Sequence, residues 1–218
     1  MCFSASASFA AGSVLLAVGA VTLSKARHRS ERAYAAIPLL FGVQQLIEGA
    51  IWMSFRLEAP LLNPAMTFAY SLFSHVLWPL YVPFAVLLLE PARWRRQALL
   101  AFLAAGAAVG IYLLVNMLRF PIESRPAGGH IEYASPHFYA VPVMAGYLAG
   151  TCISMLFSSH AMVRAFGGAA LLSFALSYAV YRQWFISVWC FFAAVLSVIV
   201  LLYFTHRTSK ESTHGLAV

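Results

Sequence analysis

Apolar residues run along this chain in blocks of about twenty, and short clusters of charge, proline and glycine separate the blocks. A helix rising 1.5 Å per residue needs roughly 20 mostly apolar residues to cross the hydrocarbon layer of a bilayer. Seven blocks approach that length, at about 6–24, 34–55, 66–89, 98–118, 138–158, 165–182 and 184–205. The pattern predicts an all-α, polytopic seven-transmembrane-helix bundle forming a single domain over 1–218. Only the connection 119–137 and a polar tail after Thr205 remain, so no separate soluble catalytic or nucleic-acid-binding module is expected.

Polar residues inside the blocks are few, and their spacing is informative. In FGVQQLIEGAIWMSF, residues 41–55, Gln44, Glu48 and Trp52 recur at i, i+4 and i+8, and Gln45 lies three before Glu48. These positions share one helix face. Glu48 is the one acidic residue well inside any block, and a charged group at mid-membrane costs about 2.5–3.5 kcal/mol on insertion scales. It should therefore face the bundle interior. The next block places Ser71, His75 and Trp78 on one face, with His75 the one histidine deep in a block. Counted from the same end of the bundle, Glu48 and His75 sit at nearly equal depth, which predicts that they meet directly or through one water. They are the candidate catalytic pair, with Gln44, Gln45, Trp52, Ser71, Trp78, Tyr178 and Trp189 as candidate ligand-binding residues around them. The alternative is a Glu–His pair that only holds antiparallel helices in register.

Composition agrees with the block pattern: 62% of the 218 residues are hydrophobic, 10% are charged, and mean hydropathy is +0.80. Soluble domains average about 45–50% apolar and about 25% charged. No Lys or Arg precedes Lys25, so the first block is expected to stay as a helix and not to act as a cleaved leader. Ten Lys/Arg residues fall after blocks 1, 3, 5 and 7, against Arg56, Arg119, Arg125 and Arg182 on the other side. By the positive-inside bias the N-terminus lies outside and the C-terminus in the cytoplasm. The net charge of +7 is then mostly loop charge and gives no argument for nucleic acid. Membrane lipid and a small hydrophobic ligand are the expected partners; the oligomeric state is left open.

Three cysteines, Cys2, Cys152 and Cys190, form no CxxC pair and imply no disulfide framework. If Met1 is removed, Cys2 would present an amine and a thiol on adjacent carbons. With His75, His130 and Cys190 it sketches a divalent zinc or copper site, though no spacing among them is diagnostic. The connection RFPIESRPAGGHIEYASPHF carries Gly128 and Gly129 for a turn. His130 and Glu132 alternate there and would point the same way if extended. His28, His160 and His206 lie among basic residues and are expected to face solvent or headgroups. A retinal protein needs a lysine in the last block, and 184–205 has none. A bis-histidine haem needs a second deep histidine, which is also lacking.

The stretches MCFSASASF, PLLFGVQQLIEGAIW, FSHVLWPLYVPFAVLLLEP, SSH at 158–160 and FISVWC at 185–190 together resemble a family of uncharacterised bacterial multi-pass membrane proteins. The resemblance implies the bacterial inner (plasma) membrane and no activity. From the residues, the leading reading is a membrane-embedded enzyme, metal-dependent in one version, acting on a lipid or other hydrophobic substrate through a small outward-facing site between helices 2 and 3. A proton-coupled small-molecule transporter or ligand-binding protein is the second reading. The third is an assembly subunit using the small-residue faces at 104–110 and at Gly146 and Gly150.

Overall fold

The computed structural model describes residues 4–215, with side chains placed as far as His206. Ser4 accepts the Ala7 amide and so starts α1 (Ala5–Lys25). A capping box opens α2 (Arg29–Ala35), the Glu31 carboxylate accepting the amides of Arg27 and His28 at 3.0 and 3.2 Å. Then come α3 (Ile37–Arg56), α4 (Leu62–Ser71), a π-helical segment Leu72–Leu77, α5 (Trp78–Leu89) and α6 (Arg93–Arg119). A hairpin of β1 (Glu123–Ala127) and β2 (His130–Ala134) follows, with a 3-10 turn at Pro136–Tyr139. The chain ends with α7 (Val141–Leu148), a second π segment Ala149–Ile153, α8 (Ser154–Leu156), α9 (Ala161–Val180), a 3-10 turn Arg182–Trp184, α10 (Phe185–Leu196) and α11 (Val198–Gly215).

Among the described residues, six helical rods are long and apolar enough to cross a membrane: Ala5–Lys25, Arg29–Arg56, Leu62–Leu89, Arg93–Arg119, Ala161–Val180 and Arg182–His206. The remaining expected block, 138–158, is helical only over Val141–Leu156. The 3-10 turn at Pro136–Tyr139 takes up its start, and the rod left over reaches only about 24 Å at 1.5 Å per residue.

The third rod is bent by its prolines. Pro79 has no N–H, so the Ser74 carbonyl five residues earlier cannot be satisfied along the helix and instead accepts the Tyr147 hydroxyl at 2.5 Å. Pro83 likewise leaves the Pro79 carbonyl without its helical donor. That oxygen lies against α6 and the second π segment: a Cβ on Gly106 would stand 1.9 Å from it and one on Gly150 2.8 Å. Gly146 is just as tight, since its Cβ would be 2.6 Å from Val109. The glycines of both small-residue faces pack inside the chain, while Ala104 and Ala108 of the 104–110 face are exposed.

At the arginine-rich end, Glu90 follows α5 and is buried. Its carboxylate accepts the Ser159 amide at 2.6 Å, the Ser159 hydroxyl, and the Ala92 amide at 3.1 Å. Arg95 reaches the Ser158 carbonyl at 2.6 Å, and Arg164 reaches it at 2.9 Å. His160, expected in solvent, instead packs its ring edge-on against Tyr203, 5.4 Å between centroids. The SSH stretch is thus one half of a clamp between the end of α5 and the start of α9.

Two outcomes follow. Gly106→Ala forces an overpacked contact against backbone that cannot rotate away, and should lower stability in detergent by about 1–3 kcal/mol or more, read as a drop in Tm against Gly168→Ala, whose Cβ meets nothing. Burial pushes the Glu90 pKa up, but the Ser159 and Ala92 hydrogen bonds and the Arg95 charge outweigh it and hold the group below the ordinary 4.5. The clamp therefore contributes stability above pH about 4.5 that is lost as pH falls through the lower folded value. Glu90→Gln should remove that acid-side loss from a Tm-versus-pH series.

Candidate functional site

Opposite the arginine-rich end, the hairpin lies over the ends of the rods. Its turn needs glycine: Gly128 and Gly129 take φ of +56° and +78°, the two positive values of a type I′ turn. A Cβ on Gly128 would also meet Trp184 at 2.7 Å. Asn63 and Thr67 hold Ser124 of β1 at 3.1 and 2.7 Å, and Tyr133 of β2 stacks on Tyr70 at 4.6 Å. This anchoring sets the segment that leaves β2, Ala134–Ser135–Pro136, over the buried His75.

The expected direct bond between Glu48 and His75 does not form. Both ring nitrogens of His75 are occupied by hydroxyls: Nδ1 lies 2.8 Å from Ser74 Oγ, and Nε2 lies 2.9 Å from Ser135 Oγ. The reason is local, because His75 sits within the π segment Leu72–Leu77, where a straight-helix count of faces no longer holds. Glu48 finds Ser187 of α10 instead, whose hydroxyl donates to Oε1 at 2.7 Å.

One tautomer suits a nucleophile: with Ser74 Oγ accepting from His75 Nδ1–H, Nε2 accepts from the Ser135 hydroxyl. His75 and Ser135 are both buried. Both line a pocket of about 190 Å³ together with Leu113, Met117, Phe120 and Ile122, and Asn116 and His137 add N–H groups to the same wall. A serine hydroxyl on a neutral imidazole nitrogen, with the other nitrogen fixed by a third group, is the arrangement of an activated nucleophile. Nothing in the sequence marks Ser135, because a lone serine before proline reads as a turn residue.

The remaining candidates divide into two groups. Gln44 accepts the Trp78 indole N–H at 2.7 Å, and Phe41 stacks on Trp78 at 3.9 Å. Cys190 faces Tyr70, Gln44 and Glu48. Among the described residues no partner reaches Gln44 Nε2, either polar atom of the Gln45 amide, Ser71 Oγ or Trp52 Nε1. Gln44, Gln45, Glu48, Ser71 and Cys190 thus form a buried polar core beside the His75 site, where unpaired donors and acceptors are costly unless something small and polar fills them. Trp189 donates to the Ala170 carbonyl at 3.3 Å and packs on Phe185 and Tyr147. With Phe41, Tyr147, Thr151 and Cys190 it lines a cavity of about 30 Å³, room for one water-sized guest. Tyr178 lies apart from these, in an open groove.

Among the described residues no three His, Cys, Asp or Glu side chains converge; His75 is held by two serines, His130 stacks on Trp184 at 4.8 Å, and Cys190 lies among Tyr70 and Gln44. Cys2 lies outside the described residues. His130 and Glu132 also part company, since Glu132 accepts from Gln183 at 3.1 Å. Burial lowers the His130 pKa, keeping its imidazole neutral near pH 7.

Against this geometry, a family profile matches residues 1–215. The chain belongs to DUF6629, a family of unknown function. No curated protein and no solved structure matches it. Membership in DUF6629 accords with the uncharacterised family that the sequence resembles, and the apolar rods fit a membrane protein.

The switch of partners can be measured. A double-mutant cycle on Ser135→Ala and His75→Ala should give a coupling of about 1 kcal/mol, whereas Glu48→Gln with His75→Ala should be additive within about 0.5 kcal/mol. Tm values of the purified variants decide it.

Proposed function

We propose that this DUF6629 member is a seven-span protein of the bacterial inner membrane, N-terminus outside, and that it is an enzyme acting on an ester of a hydrophobic substrate. The Lys/Arg bias supports the orientation, and the apolar rod Val141–Leu156 serves as the fifth span. The hairpin and its pocket then face outward. The observation that carries the enzymatic reading is the chain Ser135 Oγ–His75 Nε2, Nδ1–Ser74 at 2.9 and 2.8 Å on the wall of a pocket that is apolar on one side.

Ser135 is the nucleophile and His75 the general base; Ser74 is a positioning residue. As the hydroxyl proton passes to Nε2, Oγ bonds to the ester carbonyl carbon. The carbon–alkoxide bond then breaks, and the alkoxide leaves with the proton from Nε2. Water attacks the acyl-serine, its proton passes to Nε2 and back to Oγ, and acid and alcohol are released. Asn116 gives one amide hydrogen to the Tyr112 carbonyl and keeps a second to stabilise the developing oxyanion. Glu48, the carboxyl first suspected as the acid/base, is assigned to holding α3 against α10 through Ser187.

A fluorophosphonate probe, whose phosphorus bonds to an activated serine Oγ as fluoride leaves, should label the wild type at Ser135. Ser135→Ala should abolish labelling, His75→Gln should cut it by about 100-fold, within the usual contribution of a general base, and Ser74→Ala should reduce it and shift its pH profile. Labelling elsewhere, or none in folded wild type, overturns the reading. The unpartnered Gln44, Gln45 and Ser71 atoms favour one second reading, a ligand-binding or transport role for the Glu48 core. Under that reading Glu48→Gln abolishes pH-dependent uptake while leaving probe labelling of Ser135 unchanged.

A further inference from the structure

Ser135 lines a second, larger recess. A groove of about 370 Å³ shares Ala134, Ser135 and Pro136 with the His75 pocket, and its other walls are Glu132, Tyr133, Tyr139, Tyr178, Arg182 and Gln183. The two recesses differ in chemistry. One offers Leu113, Met117, Phe120 and Ile122; the other offers a carboxylate, a guanidinium and three tyrosines.

Two opposite charges face the groove. Arg182 holds its guanidinium 5.5 Å over the Tyr178 ring and forms no ion pair among the described residues. Glu132 accepts the Gln183 amide at 3.1 Å and lies across the hairpin from Arg125, whose guanidinium bonds Glu123. Opposite charges on two walls of one groove, with no ion pair between them, are complementary to a ligand that carries both signs itself. Tyr139 stays a neutral donor between them: burial first, then Tyr178 and Glu132, push its hydroxyl up to about 12, against the pull of Arg182.

From this juxtaposition we infer that the substrate is a zwitterionic aminophospholipid, with its phosphate on Arg182, its ammonium on Glu132, and an acyl chain in the apolar pocket. The inference rests on Ser135 and His75 forming the reacting pair. It deepens that reading, because the ester carbonyl of such a lipid lies between headgroup and chain, as Ser135 lies between groove and pocket. Exposed Arg182 belongs to the few arginines on the outer side, at the level where headgroups sit.

The test uses full-length protein in nanodiscs and has two arms. In the first, Ser135→Ala protein is exposed to mixed phosphatidylethanolamine, phosphatidylglycerol and phosphatidylcholine, and the lipid retained is counted by native mass spectrometry. Phosphatidylethanolamine should be enriched at least 5-fold. Arg182→Gln should weaken retention of both phosphatidylethanolamine and phosphatidylglycerol, and Glu132→Gln that of phosphatidylethanolamine alone. Soluble phosphoethanolamine in excess should compete; if it binds equally well in the absence of lipid, the site is for a free phosphomonoester and the lipid inference fails. In the second arm, wild type should release fatty acid from phosphatidylethanolamine, and Arg182→Gln should slow release about 10-fold without losing fluorophosphonate labelling. Retention without turnover or labelling removes the reacting pair and leaves a headgroup site. Labelling with equal handling of all three lipids, unmoved by Arg182→Gln and Glu132→Gln, overturns the aminophospholipid and leaves the reacting pair. Both positions are exposed or half-exposed, so the variants should fold.

Discussion

Pro83 cannot donate a hydrogen bond to the carbonyl of Pro79, nor Pro79 to that of Ser74, and the architecture is arranged around those two missing bonds. In a bilayer an unsatisfied carbonyl costs several kcal/mol, so each must be met from outside the helix. Tyr147 meets one with its hydroxyl. The other lies where Gly106 and Gly150 let two rods approach within backbone contact, a distance that suits Cα–H donors. The π segment that precedes Pro79 places His75 against Ser135, while Glu48 of α3 meets Ser187 of α10.

Within this frame the polar groups separate by how well they are satisfied. The Glu90 clamp at the arginine-rich end is densely hydrogen-bonded and structural. At the hairpin end, His75 is fully used by two serines, and among the described residues the adjoining Gln45 amide, Ser71 hydroxyl and Gln44 Nε2 have no hydrogen-bond partner. Well-paired buried networks rigidify a fold, and partly paired ones mark places where strain or function is concentrated. The two ends thus have different tasks despite similar residue content. A dense aromatic lining, Phe138, Tyr147, Phe174, Phe185 and Trp189, packs between them.

The hairpin has the more specific role. The hairpin and the residue that follows it carry three different contributions within Glu132–Ser135. Tyr133 anchors to Tyr70, Ser135 delivers a hydroxyl to His75, and Glu132 faces the open groove on the other side. Strand alternation explains how one short segment serves both a buried and an open surface.

The sequence alone determined that this chain is an apolar all-helical bundle, because the length of an apolar block and its freedom from charge are local quantities that need no partner to be read. It also determined that Glu48 and His75 would be buried, since burial of rare ionisable residues in an apolar block follows from their cost. It did not determine what they would touch. Direction around a helix depends on every residue's turn angle, and one π segment before Pro79 is enough to redirect His75 from Glu48 to Ser135. Ser135 itself, sixty residues further along, acquired its chemistry only when the hairpin folded back over the rods. Long-range pairing of that kind depends on tertiary packing, and no pattern in the neighbouring sequence encodes it.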